Sequence, residues 1–385
     1  MAASARAATV TGRVLVITND FPPRRGGIES FVSGLCSGFP VNDLVVYTAN
    51  MAGSTAVDAG LDYPVIRDRS RQLLPTPRVA RAVQRVARAH DCDRVVFGAA
   101  APLGMLASAL RGSGVRRLVA LTHGHEVWWA KTPPTRRLLH RIGDDVDVVT
   151  YVSEYCRGEI GRALSQAARR RMVRLSPGVD PARFRPGLDR ADAREAMGIG
   201  PGQPVVLAAG RLVRRKGHDM LIKAWPRVLR AVPDALLLVV GDGPGSRRLQ
   251  ALASRLGVAD AVRHLGGVVW EQMPQMYTAS DVFALPCRTR LRGLEPEAFG
   301  IVFLEAAAAG LPVIVGVSGG APETVVNGET GYLVDPLDLD QIADRIISLL
   351  ISPGQAGAMG AAGRARVTGL WPESRAVATL KELLS

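Results

Sequence analysis

The sequence predicts an α/β protein built from two Rossmann-like, doubly wound domains that face an interdomain cleft. Three observations lead to this fold class. Short apolar runs alternate with helical patterns along almost the whole chain, which is typical of parallel sheets. The alternation is interrupted once, by a loop-rich stretch over residues 177–204, and then restarts. A length of 385 residues leaves room for two domains, each with its own hydrophobic core.

The first half of the chain predicts strands and helices in regular alternation. We expect strands at residues 13–18, 44–48, 94–98, 118–122, 146–153 and 173–176. We expect helices near residues 28–38, 77–90, 101–111, 134–142 and 154–164. Together these elements predict a first domain over residues 1–180.

The second half repeats this alternation. We expect strands at residues 204–209, 235–240, 261–265, 281–285 and 311–315. We expect helices near residues 218–231, 244–256, 272–278, 303–309 and 338–351. These elements predict a second domain over residues 181–371. A last helix over residues 372–385 follows the second sheet and could pack back on the first domain.

Composition narrows the class of protein. Hydrophobic residues make up 47% of the chain and aromatic residues 5%, which fits a soluble α/β protein. No apolar run reaches about 18 residues, the length that a membrane-spanning helix needs. Residues 1–10 lack the apolar segment of a signal peptide, so we expect a loose tail on a cytosolic protein. The cysteines are too far apart to suggest zinc or a disulfide framework: Cys36, Cys92, Cys156 and Cys287.

The net charge of +13 indicates an anionic partner. Nucleic acid, a membrane surface and a phosphorylated metabolite would all satisfy it. The chain shows no zinc finger, no basic surface interleaved with aromatic residues and no RNA-module signature. A nucleic-acid-binding protein is therefore the less favoured alternative.

Two carboxylates eight residues apart, Glu297 and Glu305, flank a predicted loop-to-helix junction. The free backbone N–H groups of Gly300, Ile301 and Val302 would lie at the helix N-terminus, where phosphate binds readily. Because carboxylates repel phosphate, the two glutamates are better suited to sugar hydroxyls on either side of it. This arrangement fits a nucleotide-sugar, with the hexose toward Glu297 and the ribose toward Glu305. The alternative is an amphipathic helix with two surface glutamates.

Open α/β sheets bind ligands beyond the carboxyl ends of their strands, so the loops that follow the strands hold candidate site residues. After the first strand, Gly26 and Gly27 open a helix and let the backbone approach an anion closely, although they could form a plain turn. After the fourth strand, His123 could bind a substrate hydroxyl, transfer a proton or serve only a structural role. His125 and Glu126 follow it, but the sequence offers few further ligands nearby, so we expect no metal.

After the first strand of the second half, Arg211 and Lys216 could converge on a pyrophosphate. Both would neutralise the charge that develops on a departing diphosphate. The alternative is a solvated basic loop.

The loop after the next strand is similar to a dinucleotide-binding fingerprint. Its third glycine is replaced by Ser246, and Pro244 lies inside the turn. An oxidoreductase interpretation therefore loses its main support.

In their order and spacing, these segments resemble the retaining glycosyltransferases of family 4, which have the two-domain GT-B fold. The resemblance covers nearly the whole chain. Within this family, the chain looks most like the actinobacterial GDP-mannose-dependent phosphatidyl-myo-inositol α-mannosyltransferases. The matching segments are Gly26-Gly27, His123-Gly124-His125-Glu126, Gly210-Arg211, Lys216-Gly217, Gly241-Asp242-Gly243-Pro244, Glu297 with Glu305, and residues 318–323.

The resemblance implies a role for individual residues. Arg211 and Lys216 would bind the diphosphate, and Glu297 and His123 would contact the mannose. The implied catalytic residues are His123, Arg211, Lys216 and Glu297. The implied donor-binding residues are Gly26, Gly27, Arg211, Lys216, Val268, Phe299, Gly300, Ile301, Val302 and Glu305.

The resemblance also implies the reaction. GDP-mannose would donate mannose to the inositol 6-position of phosphatidylinositol monomannoside, bound by the first domain, while the second domain holds the donor. Family members retain configuration without an evident protein nucleophile, and the leaving diphosphate takes the acceptor proton. No cofactor or divalent metal is expected, because Arg211 and Lys216 would neutralise the diphosphate. The enzyme would lie peripherally on the cytoplasmic face of the plasma membrane. A family 4 enzyme with a soluble sugar acceptor is the alternative.

The predicted helix over residues 77–90 offers a way to reach a lipid acceptor. Four of its arginines fall within an arc of about 80° and would attract an anionic leaflet by roughly 1 kcal/mol each. The adjoining apolar residues are small and are expected in the domain core, and an ordinary solvated basic face is the alternative. The arginines are Arg78, Arg81, Arg85 and Arg88, with Arg67, Arg69 and Arg71 just before the helix. Trp128 and Trp129 could lie at an interface or line an acceptor groove.

Overall fold

The structure is a computed structural model of the chain, and it describes residues 12–187 and 189–385. The tail expected over residues 1–10 lies outside the described residues. The chain divides into two compact units. The first unit runs to Pro177 and includes Glu373–Ser385, and the second unit is Gly178–Pro372. The division thus falls at residue 177, where the sequence predicted 180, and the C-terminal helix is part of the first unit.

A seven-stranded parallel sheet forms the centre of the first unit, as far as the described residues show. Its strands are β1 (Arg13–Thr18), β2 (Leu44–Ala49), β3 (Val65–Asp68), β4 (Cys92–Phe97), β5 (Arg117–Ala120), β6 (Val148–Tyr151) and β7 (Met172–Arg174). They lie in the order β3-β2-β1-β4-β5-β6-β7, so the strand order reverses between β1 and β4. All six residues of β2 are buried. Strands covered on both faces are apolar throughout, which explains their continuous apolar runs.

Helices connect the strands of the first unit. They are α1 (Gly27–Ser37), α2 (Ser54–Asp58), α3 (Pro77–Ala89), α4 (Ala107–Arg111), α5 (Glu126–Lys131), α6 (Pro133–Asp145), α7 (Glu154–Gly161) and α8 (Gln166–Arg170). Short 3-10 helices lie at Val41–Asp43 and Leu103–Leu106. Local sequence defines the start of α3, where the Thr76 hydroxyl accepts a hydrogen bond from the Val79 N–H and Pro77 occupies the first turn.

A six-stranded parallel sheet, formed by described residues, lies at the centre of the second unit. Its strands are β8 (Val205–Ala209), β9 (Leu236–Val240), β10 (Val262–Gly266), β11 (Val282–Leu285), β12 (Val313–Gly316) and β13 (Gly331–Val334). The order is β10-β9-β8-β11-β12-β13, so the reversal falls between β8 and β11. Ligands of such sheets bind beyond the carboxyl ends of the strands at this point.

The helices of the second unit follow the same alternation, and one more helix ends the chain. They are α9 (Arg190–Glu195), α10 (His218–Ala231), α11 (Ser246–Arg255), α12 (Met273–Thr278), α13 (Ile301–Ala308), α14 (Leu339–Ile351), α15 (Pro353–Leu370) and, in the first unit, α16 (Glu373–Leu384). Short 3-10 helices lie at Arg214–Lys216, Ala259–Ala261, Trp270–Gln272, Leu291–Gly293 and Ala321–Thr324.

Every predicted strand is present, with ends that differ by a few residues from the prediction. The structure adds the edge strands β3 and β13 and the long helix α15, which the sequence pattern did not predict. It also adds the short helices α2, α5, α8 and α9. The prediction of two Rossmann-like doubly wound sheets is confirmed.

The expected division of α3 into a buried and a basic face is only partly correct. Val79, Ala82 and Val83 are buried in the core, as expected. Arg78, however, donates two hydrogen bonds of 2.8 Å to the buried carboxylate of Asp68. Its charge is therefore neutralised, and Arg78 does not belong to an exposed basic stripe.

The arginines before α3 need a similar correction. Arg67 binds the Asp58 carboxylate at 2.7 and 3.0 Å and also donates to two backbone carbonyls. It is thus part of the framework of the first unit. The exposed arginines of this surface are Arg69, Arg71, Arg81, Arg85 and Arg88.

No single helix in the described ranges is long and apolar enough to cross a membrane. Together, α14 and α15 meet the length and composition of a span only as a pair bent by 102°. Both helices bury residues within the second unit, among them Ile342 and Ile346 of α14 and Met359 and Val367 of α15.

Asp68 provides a test of the packing at the edge of the first sheet. Its carboxylate is 5% exposed and accepts hydrogen bonds from Arg78, Ser70 and the Tyr47 hydroxyl. Asp68→Asn leaves the Arg78 guanidinium without its counter-ion. We expect the free energy of unfolding at pH 7 to fall, because the half-exposed Arg78 guanidinium loses two charge-assisted hydrogen bonds to the buried carboxylate. Urea denaturation followed by circular dichroism measures it.

The same ion pair gives the effect a pH dependence. Arg78 and the other donors hold the pKa of Asp68 well below its usual range, although burial opposes them. The stabilisation is therefore complete above about pH 4 and is lost as the pH falls toward the lowered pKa. The stability difference between wild type and variant should shrink below pH 4. Asp62→Asn, at an exposed position, is the control, and an equal loss in both variants would contradict the assignment.

Candidate active site

Two loops meet at the carboxyl ends of β8 and β11, where the strand order of the second sheet reverses. The loop after β8 spans residues 210–217, and that after β11 spans residues 286–300. The Arg288 N–H donates a hydrogen bond of 2.8 Å to the Arg215 carbonyl and joins the two loops. Arg288 is held in turn by two hydrogen bonds, of 3.0 and 2.8 Å, to the Asp219 carboxylate.

The buried carboxylate of Glu297 is the centre of this region. Its Oε2 lies 2.6 Å from Arg215 Nη1 and 2.9 Å from Lys216 Nζ. Its backbone N–H donates to Ser318 Oγ at 3.0 Å. Burial raises the pKa of Glu297, but Lys216 and Arg215 outweigh burial and hold the pKa below its usual value. Glu297 is thus ionised at neutral pH and fixed in orientation.

Arg211 and Lys216, predicted to bind a diphosphate together, occupy different environments. Lys216 is 8% exposed and pairs with Glu297. Arg211 is exposed, and within the described ranges its side chain forms no hydrogen bond or ion pair. The structure therefore brings Lys216 to the predicted glutamate and leaves the Arg211 guanidinium in solvent on the same loop.

The helix α13 begins directly after this carboxylate. Gly300 precedes it in a left-handed conformation, with φ of 96°. The first N–H groups of a helix have no partner within the helix, so those of Ile301 and Val302 are available to an anion. Both residues are half-buried. Phe299 is 2% exposed and packs against Trp371, so only its backbone can meet a ligand.

Packing against the sheet sets the direction of α13. Phe303 meets Phe283 of β11 edge-on, with ring centroids 5.8 Å apart. Farther along the helix, the buried carboxylate of Glu305 accepts a hydrogen bond of 2.7 Å from the Tyr277 hydroxyl. Burial raises the pKa of Glu305, and hydrogen bonds from Tyr277 and Trp270 oppose the rise.

The loop after β10 contributes Val268 and Trp270. Val268, one of the implied donor-binding residues, is half-buried. Trp270 is 40% exposed, and the Arg183 guanidinium lies 3.4 Å from its ring centroid. Trp270 lowers the pKa of the Glu305 carboxyl, so its indole lies on the side of this loop that faces α13.

On the first unit, His123 lies at the end of β5 and is half-buried. Its Nε2 is 2.5 Å from the Gly98 carbonyl oxygen. A carbonyl only accepts, so in the neutral ring Nε2 holds the proton and Nδ1 is an acceptor. Burial lowers the pKa of His123 despite the nearby Glu126 carboxylate. His123 is therefore suited to accept a hydrogen bond at neutral pH.

The other predicted residues of the first unit lie at the start of helices. Gly26 and Gly27 begin α1, and the buried carboxylate of Glu29 lies in its first turn, 2.9 Å from Arg24 Nε. An anion at this helix end would meet the negative charge of Glu29. His125 Nε2 lies 3.2 Å from Glu126 Oε1. Across residues 12–187 and 189–385, no group of three metal-ligating side chains is placed to hold an ion.

The sequence pattern indicated no role for Arg215, Arg288 or Tyr277. Arg215 lies beside Lys216 in the basic run, yet only the fold places it 2.6 Å from a carboxylate 82 positions away. Arg288 follows β11 at the strand reversal. Ligands of such sheets bind there, so this position in the sequence could have indicated a site residue. No local signal points to Tyr277.

Two family models match the chain, one on each half. The model for Glycosyltransferase Family 4 matches residues 25–183, and the model for Glycosyl transferases group 1 matches residues 189–366. The crystal structure of HepE from Anabaena in complex with UDP and glucose superposes with a TM-score of 0.81 at 20% identity, over 97% of this chain and 99% of that chain. This likeness supports the fold alone.

Relatives of nearly full length are more similar. A mannosyltransferase of Mycolicibacterium smegmatis, named GDP-mannose-dependent alpha-(1-6)-phosphatidylinositol monomannoside mannosyltransferase, is 47% identical over 97% of this chain and 98% of its own. One from Corynebacterium glutamicum, named for the monoacylated monomannoside, is 43% identical over 93% of this chain and 94% of its own. The chain therefore belongs to the family 4 glycosyltransferases of the GT-B fold. Within that family, both of these relatives are mannosyltransferases by name.

Gly217, which follows Lys216, tests how the site is formed. Its φ is 81°, and a Cβ there would lie 2.0 Å from the Pro286 carbonyl oxygen. Gly217→Ala should lower the free energy of unfolding by about 1–3 kcal/mol. The positive φ strains an alanine, and its Cβ would clash with a backbone oxygen that cannot move aside. Thermal melting measures it. Gly202→Ala, with no atom within 4 Å of the new Cβ, is the control. A Gly217 variant as stable as this control would contradict the close approach of the two loops.

Proposed function

We propose that the chain is a retaining α-mannosyltransferase that transfers mannose from GDP-mannose to phosphatidylinositol monomannoside. The geometric observation that supports the proposal is the meeting of Lys216, Glu297 and the N-terminus of α13 at the strand reversal. Cations and free amides suit a diphosphate, and an ionised carboxylate suits sugar hydroxyls. The names of the relatives supply the identity of the sugar and the acceptor.

The donor would lie along the second unit. The diphosphate would contact Lys216, Arg211 and the amides of α13, with the mannose toward Glu297 and the ribose toward Glu305. The exposed Arg211 would close on the phosphates once they arrive. No divalent metal is needed, because these cations and amides provide the charge.

The chemical step would proceed on the bound diphosphate. The bond from mannose C1 to the diphosphate oxygen breaks, and C1 bonds to the inositol 6-hydroxyl oxygen on the same face. The hydroxyl proton passes to the leaving diphosphate oxygen. Lys216 and Arg211 stabilise the developing charge. The contact of His123 with a mannose hydroxyl, implied by the family resemblance, stays a prediction.

A transfer assay tests the function directly. The protein is incubated with radiolabelled GDP-mannose and either phosphatidylinositol monomannoside or a water-soluble inositol glycoside. We expect label in the lipid fraction and little in the soluble product. Label only in the soluble product would favour the alternative acceptor, and no transfer to either would contradict the proposal.

Loss of either diphosphate cation should slow the transfer step. We expect Lys216→Ala and Arg211→Ala each to lower kcat by about 100-fold, or about 3 kcal/mol, as for one transition-state charge donor. Arg214→Ala, at an exposed position of the same loop, is the control. Near-normal turnover in both site variants would remove the diphosphate assignment.

Peripheral attachment to a membrane is the second part of the proposal. In the first unit, α3 exposes three arginines, and Arg69 and Arg71 are exposed just before it. Such charges near an anionic leaflet are worth about 1 kcal/mol each. Trp128 is 43% exposed and meets the half-buried Trp129 edge-on. An amphipathic indole of this kind suits an interface.

Vesicle sedimentation tests the attachment. Joint replacement of Arg81, Arg85 and Arg88 by Gln should weaken binding to phosphatidylinositol-rich vesicles by about 10- to 100-fold at low salt. Binding of GDP should be unchanged. A matched control with the same charge loss replaces three exposed cations of the second unit, Lys223, Arg230 and Arg255. Equal weakening in both triple variants would contradict a role for α3.

A further inference from the structure

A single carboxylate oxygen in the second unit is shared by two successive cations. Glu297 Oε2 contacts Arg215 Nη1 at 2.6 Å and Lys216 Nζ at 2.9 Å. The Glu297 side chain is 8% exposed, that of Lys216 11% and that of Arg215 30%. One carboxylate with two cations leaves an excess positive charge in a largely buried place.

An excess buried charge is costly unless another partner arrives. The two cations differ in how freely they can meet that partner. Lysine is a compact charge on a flexible stem with three rotatable donors, whereas arginine is a planar fork. Lys216 can therefore turn part of its hydrogen-bonding capacity to a phosphate while Arg215 stays on Glu297.

The backbone of Arg215 is fixed independently of its side chain. Its carbonyl accepts the Arg288 N–H at 2.8 Å, and the Arg288 guanidinium is held by Asp219 at 2.8 and 3.0 Å. The guanidinium of Arg215 is fixed by Glu297. A continuous chain of polar contacts thus joins Asp219, Arg288, Arg215 and Glu297.

We propose that Arg215 is a positioning residue that holds Glu297 in place and so leaves Lys216 available to the diphosphate of the donor. This inference rests on the proposed function of the same site. It separates neighbouring cations into two roles: Arg215 orients the carboxylate that meets the sugar, and Lys216 meets the phosphate. Without Arg215, Lys216 would remain the counter-ion of Glu297 and could not serve the diphosphate equally well.

The groups around Glu297 determine how its pKa should change when Arg215 is replaced. Arg215 and Lys216 face it from the loop after β8, and the Cys287 Sγ lies 3.8 Å away after β11. Ser318, after β12, receives its backbone N–H. Burial raises the pKa of the Cys287 thiol far above neutral, so this thiol is uncharged. The ionised side chains at Glu297 are therefore the two cations, and loss of one must raise the pKa of Glu297.

The test compares Arg215→Gln and Arg215→Lys with the exposed control Arg214→Gln. Arg215→Gln should lower kcat by about 10- to 100-fold, as expected when a reacting group is misplaced. Affinity for GDP, measured by calorimetry, should fall by no more than about threefold, because Lys216 is then drawn to Glu297 while the α13 amides stay in place. Arg215→Lys should recover at least half of the loss in log kcat. The acid limb of the kcat profile should move to higher pH in Arg215→Gln, because Glu297 loses one of its two cations.

Three outcomes would overturn the inference. Equal losses of GDP affinity and of kcat would make Arg215 a diphosphate ligand. A lowered kcat with an unchanged pH profile would also contradict a positioning role. So would a lowered melting temperature with an unchanged kcat per folded molecule.

A second readout does not depend on turnover. The Glu297 carboxyl carbon, labelled with ¹³C and assigned by its absence in Glu297→Gln, is titrated by NMR. Its pKa should be higher in Arg215→Gln than in Arg214→Gln, and equal pKa values would overturn the inference. If the wild type transfers no mannose while the Glu297 pKa still differs between Arg215→Gln and Arg214→Gln, only the proposed function is contradicted.

Discussion

The candidate site depends on one interaction, in which a single carboxylate oxygen of Glu297 contacts both Arg215 and Lys216. A buried carboxylate is costly unless it is paired, and here two cations from the loop after β8 pair with it. The contact ties the loops after β8 and β11 together and fixes the start of α13 beside Lys216. It also leaves one positive charge unbalanced, which suits a site for a nucleoside diphosphate sugar.

Sheet topology explains why these groups meet. In a parallel sheet all carboxyl ends lie along one edge, and the reversal of strand order between β8 and β11 opens a crevice there. The first unit repeats this architecture, with His123 after β5 and with α1 as the first helix after β1. Its polar groups differ, however: His123 is kept neutral by burial, and Glu29 places a carboxylate at the start of α1. The two units thus share a fold and present different chemistry.

The sequence predicted the central strands well, because buried parallel strands are continuous apolar runs. It missed β3 and β13, which have four residues each and lie at the sheet edges. It missed α15 because glycines there indicate a loop. One of them, Gly360, packs so close to the Gly310 carbonyl oxygen that a Cβ would lie 1.9 Å from it, so tertiary packing overrides helix propensity. The motif residues of the site were recognisable, but the pairing of Arg215 and Lys216 with Glu297 depends on distant contacts. The role of Arg78 was mistaken for the same reason.

A crystal structure with bound GDP tests the central claim most directly, because it locates the diphosphate without relying on turnover. We expect phosphate oxygens within hydrogen-bond distance of Lys216 Nζ and of the Ile301 and Val302 amides, with the ribose at Glu305. Arg215 should remain on Glu297 in the complex. A diphosphate bound away from the carboxyl ends of β8 and β11, or an Arg215 that has left Glu297 for the phosphates, would contradict it.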